Sequence, residues 1–117
     1  MAPMYAIIWR YQVKPEAVDA FAAAYGREGD WARLFKLDPG FLGTELYRGA
    51  ESETVFLTID LWLSRDHFTA FMQRLGDAYA ALDERLEGLT VFEARLGDFE
   101  NEVIEASLSG LKLAVPK

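Results

Sequence analysis

The chain has 117 residues, 51% of them hydrophobic and 14% aromatic, with a net charge of −7, one histidine and no cysteine. Its basic residues are scattered singly, which excludes nucleic acid and anionic membrane surfaces as partners. The missing cysteines exclude disulfides and thiolate chemistry, and no apolar run reaches the length of a membrane span. One domain is expected. Eight Phe, five Tyr and three Trp are more aromatic surface than a monomer this small hides easily, so an oligomer interface or a ligand pocket is expected as well. The N-terminus has neither a basic region nor a long apolar core, so no signal peptide is expected and the cytoplasm is the expected location.

Met4–Val13 alternates large apolar residues with smaller or polar ones and reads as strand one. Lys14-Pro15-Glu16 opens a helix, with proline at its first position and Val18, Phe21, Ala22 and Tyr25 on one face. Gly26 and Gly29 interrupt it. Asp30 caps a second, short helix with Trp31, Leu34 and Phe35 on its apolar face, and Asp38-Pro39-Gly40 is a turn. Strand two is predicted over Phe41–Arg48, the hairpin loop over Gly49–Glu53 and strand three over Thr54–Leu63. The odd positions of strand three, Val55, Leu57, Ile59 and Leu61, are all aliphatic and are expected to face the core. Ser64 caps the longest helix, whose stripe is Phe68, Phe71, Met72, Leu75, Tyr79, Leu82 and Leu86; Gly88 ends it, and Leu89–Leu96 is strand four.

The order β-α-β-β-α-β is an α+β, ferredoxin-like arrangement. Right-handed crossovers give an antiparallel sheet in the order 4-1-3-2 with both helices on one face. Strand one offers apolar residues in both registers, and strand three sets Phe56 and Trp62 opposite its aliphatic row. A sheet apolar on both faces must be covered twice, and a second copy is the simplest cover. The domain is expected over residues 1–97. A C-terminal extension, 98–117, follows: an acidic segment Asp98–Glu105, then a tail Ser107–Lys117 whose Leu108, Leu111, Leu113 and Val115 are expected to pack on the domain or the partner subunit.

Val13-Lys14-Pro15, Gly40-Phe41-Leu42-Gly43 and Asp60-Leu61-Trp62-Leu63-Ser64, within about Tyr5–Leu96, resemble the markers of antibiotic-biosynthesis-monooxygenase-like domains. The resemblance implies a dimeric α+β barrel. It also implies chemistry within a family of cofactor-independent oxygenases of phenolic polyketides, quinol oxygenases and haem-degrading enzymes. The haem-degrading branch uses an Asn on strand one and a Trp and a His on the last helix. Those positions fall near Ile8, Phe71 and Ala81 here, and none matches. No haem or other cofactor and no metal is expected.

His67 titrates nearest neutrality and is a candidate proton shuttle at a pocket mouth beside Trp62; the other reading is a solvated first-turn histidine. Arg10 and Asp60 lie mid-strand on neighbouring strands. Such a pair would orient a phenolate or carboxylate, or serve as a structural ion pair. Trp9, Tyr11, Tyr47, Trp62 and Phe71 are candidate pocket walls that would stack on a planar aromatic ligand, and some of them are expected in the barrel core instead. Two functions follow. One is a cofactor-independent monooxygenase of an electron-rich aromatic or quinol, with Arg10 and His67 catalytic. The other is a non-catalytic, small-molecule-binding or stress-related homodimer of the same fold.

Overall fold

The computed structural model describes residues 2–102. Four strands, β1 (Tyr5–Val13), β2 (Phe41–Arg48), β3 (Val55–Trp62) and β4 (Thr90–Glu100), form one antiparallel sheet in the spatial order β2-β3-β1-β4. This is the expected α+β arrangement, with the expected strand order. Between β1 and β2 the chain makes a 3-10 turn at Pro15–Ala17, then α1 (Val18–Tyr25) and α2 (Asp30–Phe35); α3 (Arg65–Leu86) joins β3 to β4. Three residues of the acidic segment, Asp98, Phe99 and Glu100, belong to β4. The expected packing of Ser107–Lys117 lies outside the described residues.

Side-chain alternation and register divide the sheet into two faces. Directly opposed residues on the helix-covered face form the rows Leu46–Thr58–Trp9–Arg95, Thr44–Asp60–Ile7–Asp98 and Arg48–Phe56–Tyr11–Glu93. The opposite, open face carries Tyr47–Leu57–Arg10–Ala94, Glu45–Ile59–Ile8–Gly97 and Gly43–Leu61–Ala6–Phe99. The aliphatic row of β3 therefore faces away from the helices, contrary to expectation. Phe56, Thr58 and Trp62 are the buried positions of β3. The physical reason is volume: the helix–sheet layer is filled by aromatic rings, and β3 turns its two largest side chains into it.

Phe35 is central to that layer. Its ring centroid lies 5.3 Å from Phe41, 5.4 Å from Trp62 and 5.4 Å from Phe71, within the range where edge-to-face and offset arrangements are attractive. Trp62, Phe21, Phe71 and Val13 are fully enclosed. Helix α3 is amphipathic but not continuous. Leu75 has φ −124° and ψ 19°, which kinks it between the turns bearing Phe68 and Phe71 and the turn bearing Tyr79. Gly76 adjoins the kink, where a residue without a side chain resists a break in helical geometry least. In β2 a bulge falls between Phe41 and Gly43, and Gly43 takes a φ of 154°, a conformation other residues rarely adopt.

Candidate aromatic cleft with a buried carboxyl

A narrow cleft of about 30 Å³, partly open to solvent, lies between the sheet and the helices. The strands contribute Trp9 and Tyr11 from β1, Thr44 from β2, Thr58 and Asp60 from β3 and Glu93 from β4; the helices contribute Tyr25, Trp31, Phe35, Tyr79 and Asp83. A second cleft, of about 250 Å³, shares Trp9, Phe35, Asp60 and Tyr79 and adds Ile7, Phe68 and Arg95. Asp60 thus stands where the two meet. The second cleft approaches the lower end of the range of small-molecule sites, about 300 Å³, and the first is far below it.

The sequence explains this placement locally. Thr44, Asp60 and Ile7 share one row, so strand alternation aims the Asp60 carboxyl at the helices. Thr44 Oγ1 donates to Asp60 Oδ1 at 2.7 Å. Asp60 is half-buried, and desolvation raises its pKa from 3.8 to about 6, with the Thr44 hydrogen bond acting the other way. Burial likewise pushes Tyr79 and Tyr25 up to about 12 and raises Tyr11 further, so all three remain protonated near neutrality. Glu93 is raised by burial and then by the nearby Asp83. The cleft therefore combines a base that titrates near neutrality, protonated phenols and stacking walls. Among the described residues, no three His, Asp or Glu side chains converge as metal ligands.

Of the residues singled out in the sequence, the structure brings Trp9 and Asp60 together in the cleft, along with Tyr11. Trp62 and Phe71 are fully buried in the aromatic core and line neither cleft. Arg10 and Tyr47 stand on the open face. The expected Arg10–Asp60 pair does not form, because Arg10 opposes Leu57 and points to the other side of the sheet. His67 is exposed in the first turn of α3; its Nδ1 lies 2.7 Å from Ser64 Oγ, which also accepts from the His67 backbone N–H at 3.2 Å. It lines neither cleft. The three positions compared with the haem-degrading branch do not converge: Ile8 is on the open face, Phe71 is in the core and Ala81 is exposed on α3. Sequence reasoning missed Thr44, Tyr79, Tyr25 and Trp31 as cleft residues. Tyr79 and Trp31 carry helical periodicity alone, which does not separate a cleft wall from a core residue.

The family model for antibiotic biosynthesis monooxygenase matches residues 4–85, well over half of the chain. No protein of curated function matches. Among solved structures, the chain is similar to SnoaB of Streptomyces nogalater, a cofactor-independent oxygenase, with a TM-score of 0.66 and 19% identity over 91% of this chain and 100% of that one. It is also similar to a conserved protein of Methanosarcina mazei (TM-score 0.65, 14% identity, covering 86% of this chain and 94% of that one). A Pseudomonas aeruginosa protein gives a TM-score of 0.64 at 12% identity, covering 88% of this chain and 98% of that one. At these identities the likeness to solved structures shows the fold alone.

Proposed function

We propose, from the premise that this chain belongs to the antibiotic biosynthesis monooxygenase family, that it oxygenates an electron-rich hydroxyaromatic or quinol without an added cofactor. The observation that carries this reading is the Asp60 carboxyl, half-buried at the meeting point of two aromatic-walled clefts and raised to a pKa of about 6. A base poised there accepts a phenolic proton near neutral pH. The phenolate then gives one electron to dioxygen, and the radical pair combines at a ring carbon bearing hydrogen. The resulting hydroperoxide loses water and leaves a carbonyl. One hydroxyarene and one dioxygen thus give one quinone and one water. The four electrons gained by dioxygen come from the substrate, one oxygen atom entering the product and the other leaving in water. Trp9 and Tyr79 stack on the ring, Thr44 holds the carboxyl in place, and the walls keep bulk water from the reactive carbon.

The test is oxygen consumption against a panel of hydroquinones and anthrones with no cofactor added. The expected result is uptake equimolar with quinone formed, falling at least about a hundredfold in Asp60→Asn. A second reading, a binding protein of the same fold without turnover, is favoured by one observation: both cationic or proton-carrying candidates, Arg10 and His67, lie outside the cleft. Ligands that bind in the cleft with no oxygen uptake across the panel would establish that second reading.

A further inference from the structure

The first cleft is too small for an organic ligand, yet its lining is rich in hydroxyls and carboxyls. At about 30 Å³ it has room for about two water molecules. Two of its hydroxyls are deeply enclosed: Tyr11 is 6% exposed and Thr58 2%. They stand 3.3 Å apart, and among the described residues neither makes a second side-chain hydrogen bond. One donates to the other, so the acceptor still carries a proton with nowhere to place it. A buried hydroxyl in that position calls for a water.

The sheet sets these groups in sequence. Asp60 and Thr58 are alternate residues on the same face of β3, about 7 Å apart along the strand, a gap that one water spans. Thr44 holds Asp60 Oδ1, which leaves Oδ2 open among the described residues. Thr58 meets Tyr11 of β1, and Tyr11 is directly opposed by Glu93 of β4. Glu93 and, from α3, Asp83 are exposed cleft residues, and the Asp83 charge reaches Glu93. Arg95 lines the second cleft, but the first has no cation in its lining to repel a migrating proton.

We infer that the first cleft is a water-filled proton path: it joins Asp60 to solvent through water and the paired hydroxyls of Thr58 and Tyr11, with Glu93 and Asp83 at its mouth. The inference rests on the reading of Asp60 as the base. A substrate in the second cleft covers Asp60 from that side, which leaves the first as the exit. The substrate O–H bond breaks as Asp60 takes the proton. Each water or hydroxyl along the path then accepts one proton as it gives up another, so Tyr11 is never ionised and no electron moves. The proton passes to Glu93 or Asp83 and on to solvent. The peroxide forms at a different ring carbon from the one bearing the hydroxyl and takes a proton from solvent in return, so the turnover releases none.

Two measurements test the path. In an equal mixture of H2O and D2O, the Cζ resonance of a tyrosine is one line when its hydroxyl exchanges quickly and two when exchange is slow. The Tyr11 line, assigned by its loss in Tyr11→Phe, should be single in the ligand-free wild type despite the burial of the ring. In turnover, Tyr11→Phe should lower kcat at least about tenfold and leave KM within about twofold, because Tyr11 does not line the second cleft. The solvent deuterium isotope effect on kcat should rise as proton transfer becomes limiting. The ring contacts with Phe21 and Tyr25, at 5.1 and 5.0 Å, are retained in that variant. Two Cζ lines for Tyr11 overturn the inference. An unchanged kcat and isotope effect in Tyr11→Phe also overturn it and leave the oxygenation standing. No oxygen uptake across the panel overturns the oxygenation, and the Cζ line then decides the path alone. Should Tyr11→Phe fail to fold, Thr58→Val breaks the same hydroxyl pair from β3, shifts the Tyr11 line and takes its place in both measurements.

Discussion

Asp60 exposes the conflict between stability and chemistry at the level of one residue. Its folded pKa, about 6, lies above the ordinary 3.8, so the folded state holds its proton more tightly than the unfolded state does. Below about pH 4 both states are protonated and burial costs nothing through ionisation. Between pH 4 and 6 the unfolded carboxyl ionises first, and stability falls as pH rises. Above about pH 6 the full cost is present, at most about 3 kcal/mol for two pKa units. Asp60→Asn is therefore expected to match the wild type in melting temperature at pH 4 and to exceed it increasingly up to about pH 6.5, measured at fixed protein concentration. A gap that does not change with pH, or a less stable variant at pH 7, would refute the account. The sequence showed a mid-strand aspartate in a strand of aliphatic and aromatic residues, which is enough to single Asp60 out. It did not show the partner, because Thr44 reaches Asp60 only through the register of β2 on β3.

At the scale of elements, what was legible follows from punctuation and what was not follows from parity. Pro15, the Asp38-Pro39-Gly40 turn, the Gly49–Glu53 loop and the Ser64 cap mark the element boundaries, and the structure's elements begin and end close to them. Alternation in β3 was equally plain, but its direction was not. Val55, Leu57, Ile59 and Leu61 are as apolar as Phe56 and Trp62, so hydropathy alone does not say which row meets the helices. The same ambiguity sent Arg10 and Tyr47 to the wrong side of the sheet. Gly40 shows a constraint that comes from element packing. A Cβ placed there would meet His67 Cδ2 at 2.4 Å and His67 Cβ at 2.5 Å. The turn cannot easily retreat, because the Gly40 N–H donates to Asp38 Oδ2 and its carbonyl accepts from the Leu63 N–H, both at 2.8 Å. Gly40→Ala should destabilise the fold by about 1–3 kcal/mol as overpacking against the start of α3. His67→Ala, which removes the ring but keeps its Cβ, should recover part of the loss in the double variant. Denaturant unfolding gives the coupling, and additivity within about 0.5 kcal/mol would rule out this contact as the reason for the glycine.

At the scale of the whole molecule, the open sheet face decides how the chain exists in solution. Leu57, Ile59, Leu61, Ile8 and Ala94 form its middle. Around them, Tyr47, Phe92 and Phe99 are 49%, 55% and 53% exposed. Monomeric proteins seldom leave a continuous apolar patch of more than a few hundred Å² in water. Sheets apolar on both faces are covered on both. No helix of the described residues is long and apolar enough to cross a membrane. The expected cover is a second copy, which would present the same aliphatic rows and close the two sheets into a barrel. Arg10, half-buried on this face beside Leu57 and absent from the ion pairs among the described residues, would gain acceptors from the partner there. The expected interface buries about 2,000 Å² or more, the range of obligate dimers. Light scattering at micromolar concentration should give twice the 13.2 kDa chain mass for the wild type. Leu57→Arg sets a second cation beside Arg10 at the centre of the face and should give a monomer with a lower, concentration-independent melting temperature. A wild-type protein that scatters as a stable monomer would mean that the aliphatic row of β3 is covered by something other than its own kind.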